Sequence, residues 1–348
     1  MPATAPPRPA RRRRRPTIED VARRAGVSVG TVSNVLNERG NVRPGREALV
    51  RDAIAALAYV PNGVAQSLRR QRSRVVGLCA PLTSSAYFAA LLDAFEDIAA
   101  AQGYEVMQVL SRQDPALELR RIRALLARKV DGLIVIPSVD PRGAFDLIAA
   151  SGTPAVIVDR LHDDRRFDYV TMDDHGAMTQ AVRALLEHGH RRLLYVFRYP
   201  SLPTTRRRIE AFRAALARVA GTSAQVLVRD ASDAVFATQV RAALAPRTRP
   251  TAIVASNSAL TLALLRVLRD LGLSVPADVS LVSFDAPDWA EVLETPLAVV
   301  RPPTAEIARR AWELLLKRMR EPDRPVERVQ LPAALEMRAS VARRRSPR

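Results

Sequence analysis

Cysteine is almost absent. Cys79 stands alone, so neither an intrachain disulfide nor a Cys-rich zinc site can form, which fits a reducing compartment. Lysine is nearly as scarce: Lys129 and Lys317 are the only two among 54 basic residues, so the positive charge is an arginine charge, of the kind that codon bias in a GC-rich genome produces. Four histidines occur and H-E-x-x-H does not, so no metal site is expected. No run approaches 18 consecutive apolar residues, which excludes a spanning helix. The basic N-terminus is not followed by the apolar stretch of a secretory signal. A soluble, cytoplasmic protein with no membrane partner is the expectation. Neither G-x-G-x-x-G nor G-x-x-x-x-G-K-[ST] is present, so nucleotide chemistry has no motif support and no cofactor is expected.

What is present is a globular composition, 48% hydrophobic and 26% charged over 348 residues, enough for two or three domains. The net charge of +18 is uneven. Residues 1–74 carry 16 Arg against five acids, or +11, leaving +7 for the other 274 residues. Clustered cations bind phosphate and release counterions, so the N-terminal end is where nucleic acid is expected.

Residues 1–16 are Pro, Ala and Arg with no apolar face to bury, and read as a disordered basic arm. From Thr17 the pattern turns helical. Thr17 and Asp20 form an approximate capping box ahead of Ile18, Val21, Ala22 and Ala25 at i, i+3, i+4 and i+7. Gly26 ends that helix, and Ser28 is positioned to cap a second one carrying Val32, Val35 and Leu36. Val50, Ile54 and Leu57 keep helical spacing in a third. Three short helices with a tight glycine turn between the first two suit a helix-turn-helix module. Beyond Arg74, aliphatic runs such as Val75–Cys79, Gly132–Ile136, Arg192–Phe197 and Ser280–Phe284 alternate with longer amphipathic segments. About ten such strands exceed one ordinary open sheet, so two doubly wound parallel-sheet lobes are expected.

One catalytic pattern needs weighing. Gly26-Val27-Ser28-Val29-Gly30 matches the G-x-S-x-G nucleophile elbow of serine hydrolases, which places its serine between a strand and a helix. Here an amphipathic helix precedes it, so the hydrolase reading is a weak alternative, and no catalytic residue is assigned. His188-Gly189-His190 flanks a helix-ending glycine and lacks further metal ligands.

The segment Thr17-Ile18-Glu19-Asp20-Val21-Ala22-Arg23-Arg24-Ala25-Gly26-Val27-Ser28-Val29-Gly30-Thr31-Val32-Ser33-Asn34-Val35-Leu36-Asn37 closely resembles the opening of the lactose/galactose repressor (LacI/GalR) family. Tyr59-Val60-Pro61-Asn62-Gly63-Val64-Ala65-Gln66-Ser67-Leu68 looks like that family's hinge helix, and the rest of the chain, to Arg338-Ala339-Ser340, resembles its effector domain, similar in fold to periplasmic sugar-binding proteins. The resemblance implies an arm over 1–16, a DNA-binding domain over 17–60, a hinge helix and linker over 61–73 and an effector-binding and dimerisation domain over 74–348. Its first lobe would take about 74–173 and 303–328, its second about 174–300 and 330–344.

A recognition helix enters the major groove by its N-terminal residues and one face, so Val29, Gly30 and Asn34 are expected at base edges. The Asn34 amide can pair with adenine, and Val29 can touch a thymine methyl. Gly30 departs from the polar residue usual in the family, which makes direct readout thin. Ser28, Thr31, Ser33 and Asn37 can bond phosphates or simply cap and line the helices, and Thr17, Tyr59 and Asn62 join them as DNA-facing positions. Leu68 is implied to wedge into the minor groove, as apolar side chains that kink DNA do.

For the cleft between lobes the resemblance implies Tyr87 and Phe88 as stacking rings, with Ser138, Arg160, Asp173, Thr204, Arg208, Asn257, Ser258 and Asp285 around an effector. These are strand-end positions, where open α/β sheets bind ligands. Ser258 replaces an aspartate common in relatives, and Arg198 stands where glycine is usual. The expected function is sequence-specific transcriptional regulation by a repressor that binds a pseudo-palindromic double-stranded operator as a homodimer and answers to a small molecule, a sugar or related metabolite. With no apolar heptads near the C-terminus, no tetramer is expected. A solute-binding protein without DNA function is the other alternative.

Overall fold

The computed structural model describes residues 16–37, 42–59, 72–82, 85–229, 232–245 and 249–344. The chain divides into two compact units, 1–73 and 74–348.

In the first unit, α1 (Ile18–Ala25), α2 (Val29–Leu36) and α3 (Pro44–Leu57) follow the local signals. The Asp20 N–H donates to the Thr17 hydroxyl at 3.4 Å and the Thr17 N–H to the Asp20 carboxylate at 2.9 Å, a reciprocal capping box. Gly26 closes α1 at φ 64°, a left-handed position glycine takes without strain. Two residues later the Ser28 hydroxyl accepts from the Thr31 N–H at 3.1 Å and starts α2. Val21, Ala22, Ala25, Val32, Val50 and Ala53 are buried together, with Ile54, Leu57 and Tyr59 packed around them. No strand occurs among the described residues of this unit, so the G-x-S-x-G match lies between two helices without the strand a nucleophile elbow requires.

Among the described residues the second unit holds two six-stranded sheets. The first lobe contains β1 (Val75–Ala80), α4 (Ala86–Ala101), β2 (Glu105–Leu110), α5 (Pro115–Ala127), β3 (Gly132–Val135), α6 (Arg142–Ser151), β4 (Ala155–Val158) and β5 (Asp168–Met172). The second follows with α7 (Asp174–Glu187), β6 (Arg192–Phe197), α8 (Pro203–Ala217), β7 (Ser223–Val228), α9 (Asp233–Ala243), β8 (Ala252–Ala255), α10 (Ser258–Asp270), β9 (Ser280–Phe284), α11 (Trp289–Val292) and β10 (Ala298–Arg301). The chain then returns to the first lobe through α12 (Thr304–Arg320) and β11 (Arg328–Leu331), and ends in the second with β12 (Ala334–Glu336).

The sheet orders are β11-β5-β4-β3-β1-β2 and β12-β10-β9-β8-β6-β7. Every pair is parallel except β10 with β12. Burial on both faces explains why the central strands read as unbroken aliphatic runs rather than alternating ones: Leu133, Ile134 and Val135 are all 0% exposed. Trp312 of α12 packs edge-on to Tyr104 at 5.6 Å within the first-lobe core.

Three chain crossings join the lobes: Met172 to Asp174, Arg301 to Thr304 and Leu331 to Ala334. The last corrects the lobe limits expected from sequence. The first lobe runs through Leu331, not 328, because β11 pairs along its length with β5, from Arg328 opposite Tyr169 to Leu331 opposite Met172. Residues 330 and 331 therefore belong to the first sheet, and the second lobe resumes with β12.

Candidate functional site

On the first unit, α2 presents the expected reading positions. Val29 is 39% exposed, Ser28 and Gly30 are exposed, and Thr31, Ser33, Asn34 and Asn37 are half-exposed. A Cβ on Gly30 would meet only the Ser28 hydroxyl oxygen, at 3.6 Å, so packing does not demand glycine there. The absent side chain is a property of the surface. Thr17 is committed to its capping box, its hydroxyl donating to Asp20 at 2.9 Å. The Ser28 hydroxyl lies 3.0 Å from that of Thr31, the Asn37 amide donates back to Ser33, and Tyr59 packs against the core. Asn62 and Leu68 lie outside the described residues, as do the arm to residue 15 and the hinge segment to residue 71. No acidic side chain occurs in α2, while Arg23, Arg24, Arg43 and Arg46 are exposed.

In the second unit a cleft of about 1020 Å³, counting its solvent-open mouth, lies where strand ends of both sheets meet. From the first lobe come Tyr87 and Phe88 in the first turn of α4, rings 5.1 Å apart, and Asp159 and Arg160 just beyond β4. The Tyr87 hydroxyl donates to Asp159 at 2.9 Å; burial, then the Asp159 charge and bond, hold its pKa well above the usual phenol range. Arg160 is 3% exposed. Its guanidinium donates to the Pro137 carbonyl and, at 2.8 Å, to Gln113, and its Nε faces Asp159 at 3.5 Å.

From the second lobe come Arg198 and Tyr199 beyond β6, Thr204, Thr205 and Arg208 on α8, Arg229 beyond β7, Asn257 capping α10, and Asp285 beyond β9. Arg208 is the centre of this half. Its Nε donates to Asp174 at 2.6 Å, a terminal nitrogen donates to the Ser256 carbonyl at 3.0 Å, and the guanidinium lies 4.0 Å from the Phe284 ring centroid. Burial opposes the Arg208 charge, but Asp174 overrides it and the pKa is raised. Burial lifts Asp174 itself to about 6 despite that partner. Asp285 is likewise lifted to about 6 by burial, against bonds from Ser258, whose N–H donates at 3.2 Å.

Backbone strain concentrates here. Of eight non-glycine residues at positive φ among the described residues, Gln113 (64°), Asp159 (70°), Tyr199 (53°) and Asp285 (70°) line the cleft. Such conformations persist only where surrounding structure enforces them, and they cluster at functional sites.

Seven of the ten cleft positions singled out from sequence line this cavity: Tyr87, Phe88, Arg160, Thr204, Arg208, Asn257 and Asp285. Three do not. Ser138 is buried with its N–H and hydroxyl donating to Glu118 at 2.6 and 3.0 Å, so it serves an internal carboxylate that burial lifts to about 7. Asp173 caps α7 through the Gly176 N–H at 2.9 Å; the next residue, Asp174, is the acid that reaches Arg208. Ser258 is buried behind Asp285 and holds it. Sequence reasoning missed Gln113, Asp159, Asp174, Tyr199 and Arg229, and took Arg198 only as a departure from the family. Asp159 had a usable signal, an acid directly after the aliphatic run Ala155–Val158. Among the described residues no His, Cys, Asp and Glu cluster is placed to hold a metal ion, and no helix is long and apolar enough to cross a membrane.

Comparison with known proteins bears on both units. The family model for bacterial regulatory proteins, lacI family, matches residues 17–62, and that for a periplasmic binding protein-like domain matches 182–341. The chain is 30% identical to catabolite control protein A of Priestia megaterium over 332 residues, 93% of this chain and 98% of that one. It is 28% identical to the HTH-type transcriptional repressor PurR of Photobacterium profundum, across 93% and 98% of the two chains. Its structure is similar to that of the lac repressor dimer bound to operator and the anti-inducer ONPF, with a TM-score of 0.83 and 25% identity over 94% of this chain and 100% of that one. The complex of the transcriptional regulator CelR with cellobiose matches at a TM-score of 0.69 and 29% identity, over 94% and 100%.

Proposed function

The chain belongs to the lacI family of bacterial regulatory proteins, and from that premise we propose a dimeric repressor of transcription in the cytoplasm, with no catalytic role, whose hold on a pseudo-palindromic operator is set by a small molecule in the cleft. One observation carries the ligand half of this reading: a single cavity draws Tyr87, Asp159 and Arg160 from one sheet and Arg208, Asn257 and Asp285 from the other. A ligand touching both lobes binds one lobe arrangement better than another, and a ligand shifts an equilibrium only by such a difference. A coupling of about 1–3 kcal/mol would change operator affinity roughly 5- to 150-fold. Two-fold symmetry follows from docking, since one α2 covers only a few base pairs.

The test of the DNA half is a gel shift of the full chain with fragments of its source genome at several salt concentrations. Sequence-selective, salt-sensitive binding is expected, and a chain with none is not an operator-binding regulator. Asn34→Ala should lose roughly 5- to 150-fold in affinity for the preferred site, the worth of one bidentate base contact, while binding to random DNA is unchanged. An equal loss on both DNAs would assign Asn34 to phosphate contact instead. The same scheme gives Leu68 the minor-groove wedge, so that Leu68→Ala should abolish central kinking in a DNA-bending assay.

The cleft acid makes the ligand step pH-dependent. With Asp285 near pKa 6, roughly one tenth is ionised at pH 5 and nearly all at pH 7. A neutral ligand that donates a hydroxyl to this carboxylate is expected to bind up to about tenfold more tightly at pH 7 than at pH 5. Titration calorimetry at the two pH values checks this, and Asp285→Asn should flatten the dependence.

A further inference from the structure

Four arginines line the cleft, Arg160, Arg198, Arg208 and Arg229, and they are unequally compensated. Arg160 is buried and Arg208 largely so, and each faces a carboxylate, Asp159 at 3.5 Å and Asp174 at 2.6 Å. The other two stand together at the ends of adjacent parallel strands. Phe197 pairs in register with Val228, and the Arg229 N–H donates to the Phe197 carbonyl at 2.8 Å, so Arg198 and Arg229 leave β6 and β7 side by side. Arg198 is exposed and makes no ion pair among the described residues; its guanidinium lies 4.9 Å from the Tyr199 ring centroid. Among the described residues Arg229 pairs with Asp233 alone, whose side chain is 80% exposed and outside the lining. A pair so solvated cancels little of the field inside a cavity. The Arg229 Nε is buried without a hydrogen-bond partner among the described residues.

We propose that the cleft ligand is a polyhydroxylated molecule bearing one anionic group, a phosphate monoester or a carboxylate, seated between Arg198 and Arg229 while a hydroxyl meets Asp285. This rests on the cleft reading above and narrows it. Two neighbouring guanidinium forks match the oxygens of either anion. The aspartates cannot take that place, because Asp159 and Asp174 are held by the other two arginines and Asp285 by Ser258. The Tyr87 and Phe88 rings supply an apolar face for the carbon skeleton.

The experiment is isothermal titration of the full chain with a panel of sugars, each beside its phosphate monoester and its sugar acid, with inorganic phosphate as a further probe. At least one sugar should bind roughly 10- to 100-fold more tightly in an anionic form, the worth of charge-assisted bonds, and the phosphate and acid arms identify which. Arg229→Gln removes a partly buried side chain, so Arg198→Gln, at an exposed one, is the control against misfolding. Each should bring the anionic preference down toward unity. A neutral sugar that binds as tightly as both its anionic forms overturns this inference and leaves the cleft reading standing. An Arg198→Gln chain that keeps the full preference overturns the placement. No binding by any member of the panel overturns both.

Discussion

Arg208→Ala is expected to leave operator binding within a few-fold of the parent while removing the ligand's influence on it. In the parent the ratio of operator affinities with and without ligand should lie between roughly 5 and 150; in the variant it should fall to about one. Arg208 is the residue whose loss touches most of the second-lobe half of the cleft, since it joins Asp174, the Ser256 carbonyl and the Phe284 ring. Its removal also leaves Asp174, 3% exposed, without its cation. Breaking a buried pair in this way costs about 3–5 kcal/mol when the remaining group stays charged, but Asp174 already sits near pKa 6 and can escape much of that cost by binding a proton. The sign follows from linkage. A carboxylate whose folded pKa is raised binds protons more readily folded than unfolded, so its contribution is fully present at low pH and is lost as pH rises through the folded value. The variant should therefore melt closer to the parent at pH 5 than at pH 7. Arg208→Lys keeps the charge but loses the planar fork, and should restore the melting temperature more fully than the ligand response. A parent-like ligand response in Arg208→Ala, measured at a pH where both chains are folded, would remove Arg208 from the effector site.

What could be read in advance divides along the range of the interactions that decide it. Thr17, Asp20, Gly26 and Ser28 announce two helices because caps and left-handed turns are made by neighbours three residues apart, and the hydrogen bonds found are those the spacing implies. The aliphatic runs within Val75–Cys79 and Gly132–Ile136 were legible because parallel strands covered on both faces need no polar alternation. β5, β10, β11 and β12 were not named. They have three to five residues each, and what makes strands of β11 and β12 is a distant partner: β11 joins β5, some 160 residues earlier, and β12 closes antiparallel on β10. The cleft divides similarly. Arg208 and Asp285 came through resemblance, whereas Arg229 becomes a cleft residue only because β7 ends beside β6. Ser138 lies off the cavity lining for the converse reason. Glu118 looks like an exposed position on α5, yet it is 0% exposed, and it claims both donors of Ser138 twenty residues away.

A second substitution with a large expected effect lies far from the ligand in chemistry but bears on the lobe connections. Asp168 opens β5, is 0% exposed, and accepts from four donors: Arg318 at 3.0 Å through two nitrogens, Arg324 at 3.1 Å and the Glu327 N–H at 2.7 Å. All three partners come from the stretch that runs from α12 into β11, so one carboxylate fastens the returning chain to the edge of the first sheet. The side chains of Arg318 and Arg324 are only 13% and 9% exposed. Asp168→Ala would leave them without their shared acid, and removal of one partner from a buried ionic cluster costs about 3–5 kcal/mol. Arg324 retains Glu327, 41% exposed, as a second acid, which places the expectation toward the lower end. For a unit of this size that is a fall in melting temperature of roughly 5 to 15 °C. Replacing Asp168, Arg318 and Arg324 together by apolar residues of similar volume should recover most of the loss, because the desolvation of three charges disappears with them. A double-mutant cycle on Asp168 and Arg318 separates the two views: a coupling near zero would mean that the cluster contributes no more than exposed pairs do. A substantial coupling would mean that β11 stays paired with β5 partly through this carboxylate. The third crossing between the lobes starts directly from the end of β11, so the same loss should also raise the sensitivity of the Leu331–Ala334 connection to proteolysis.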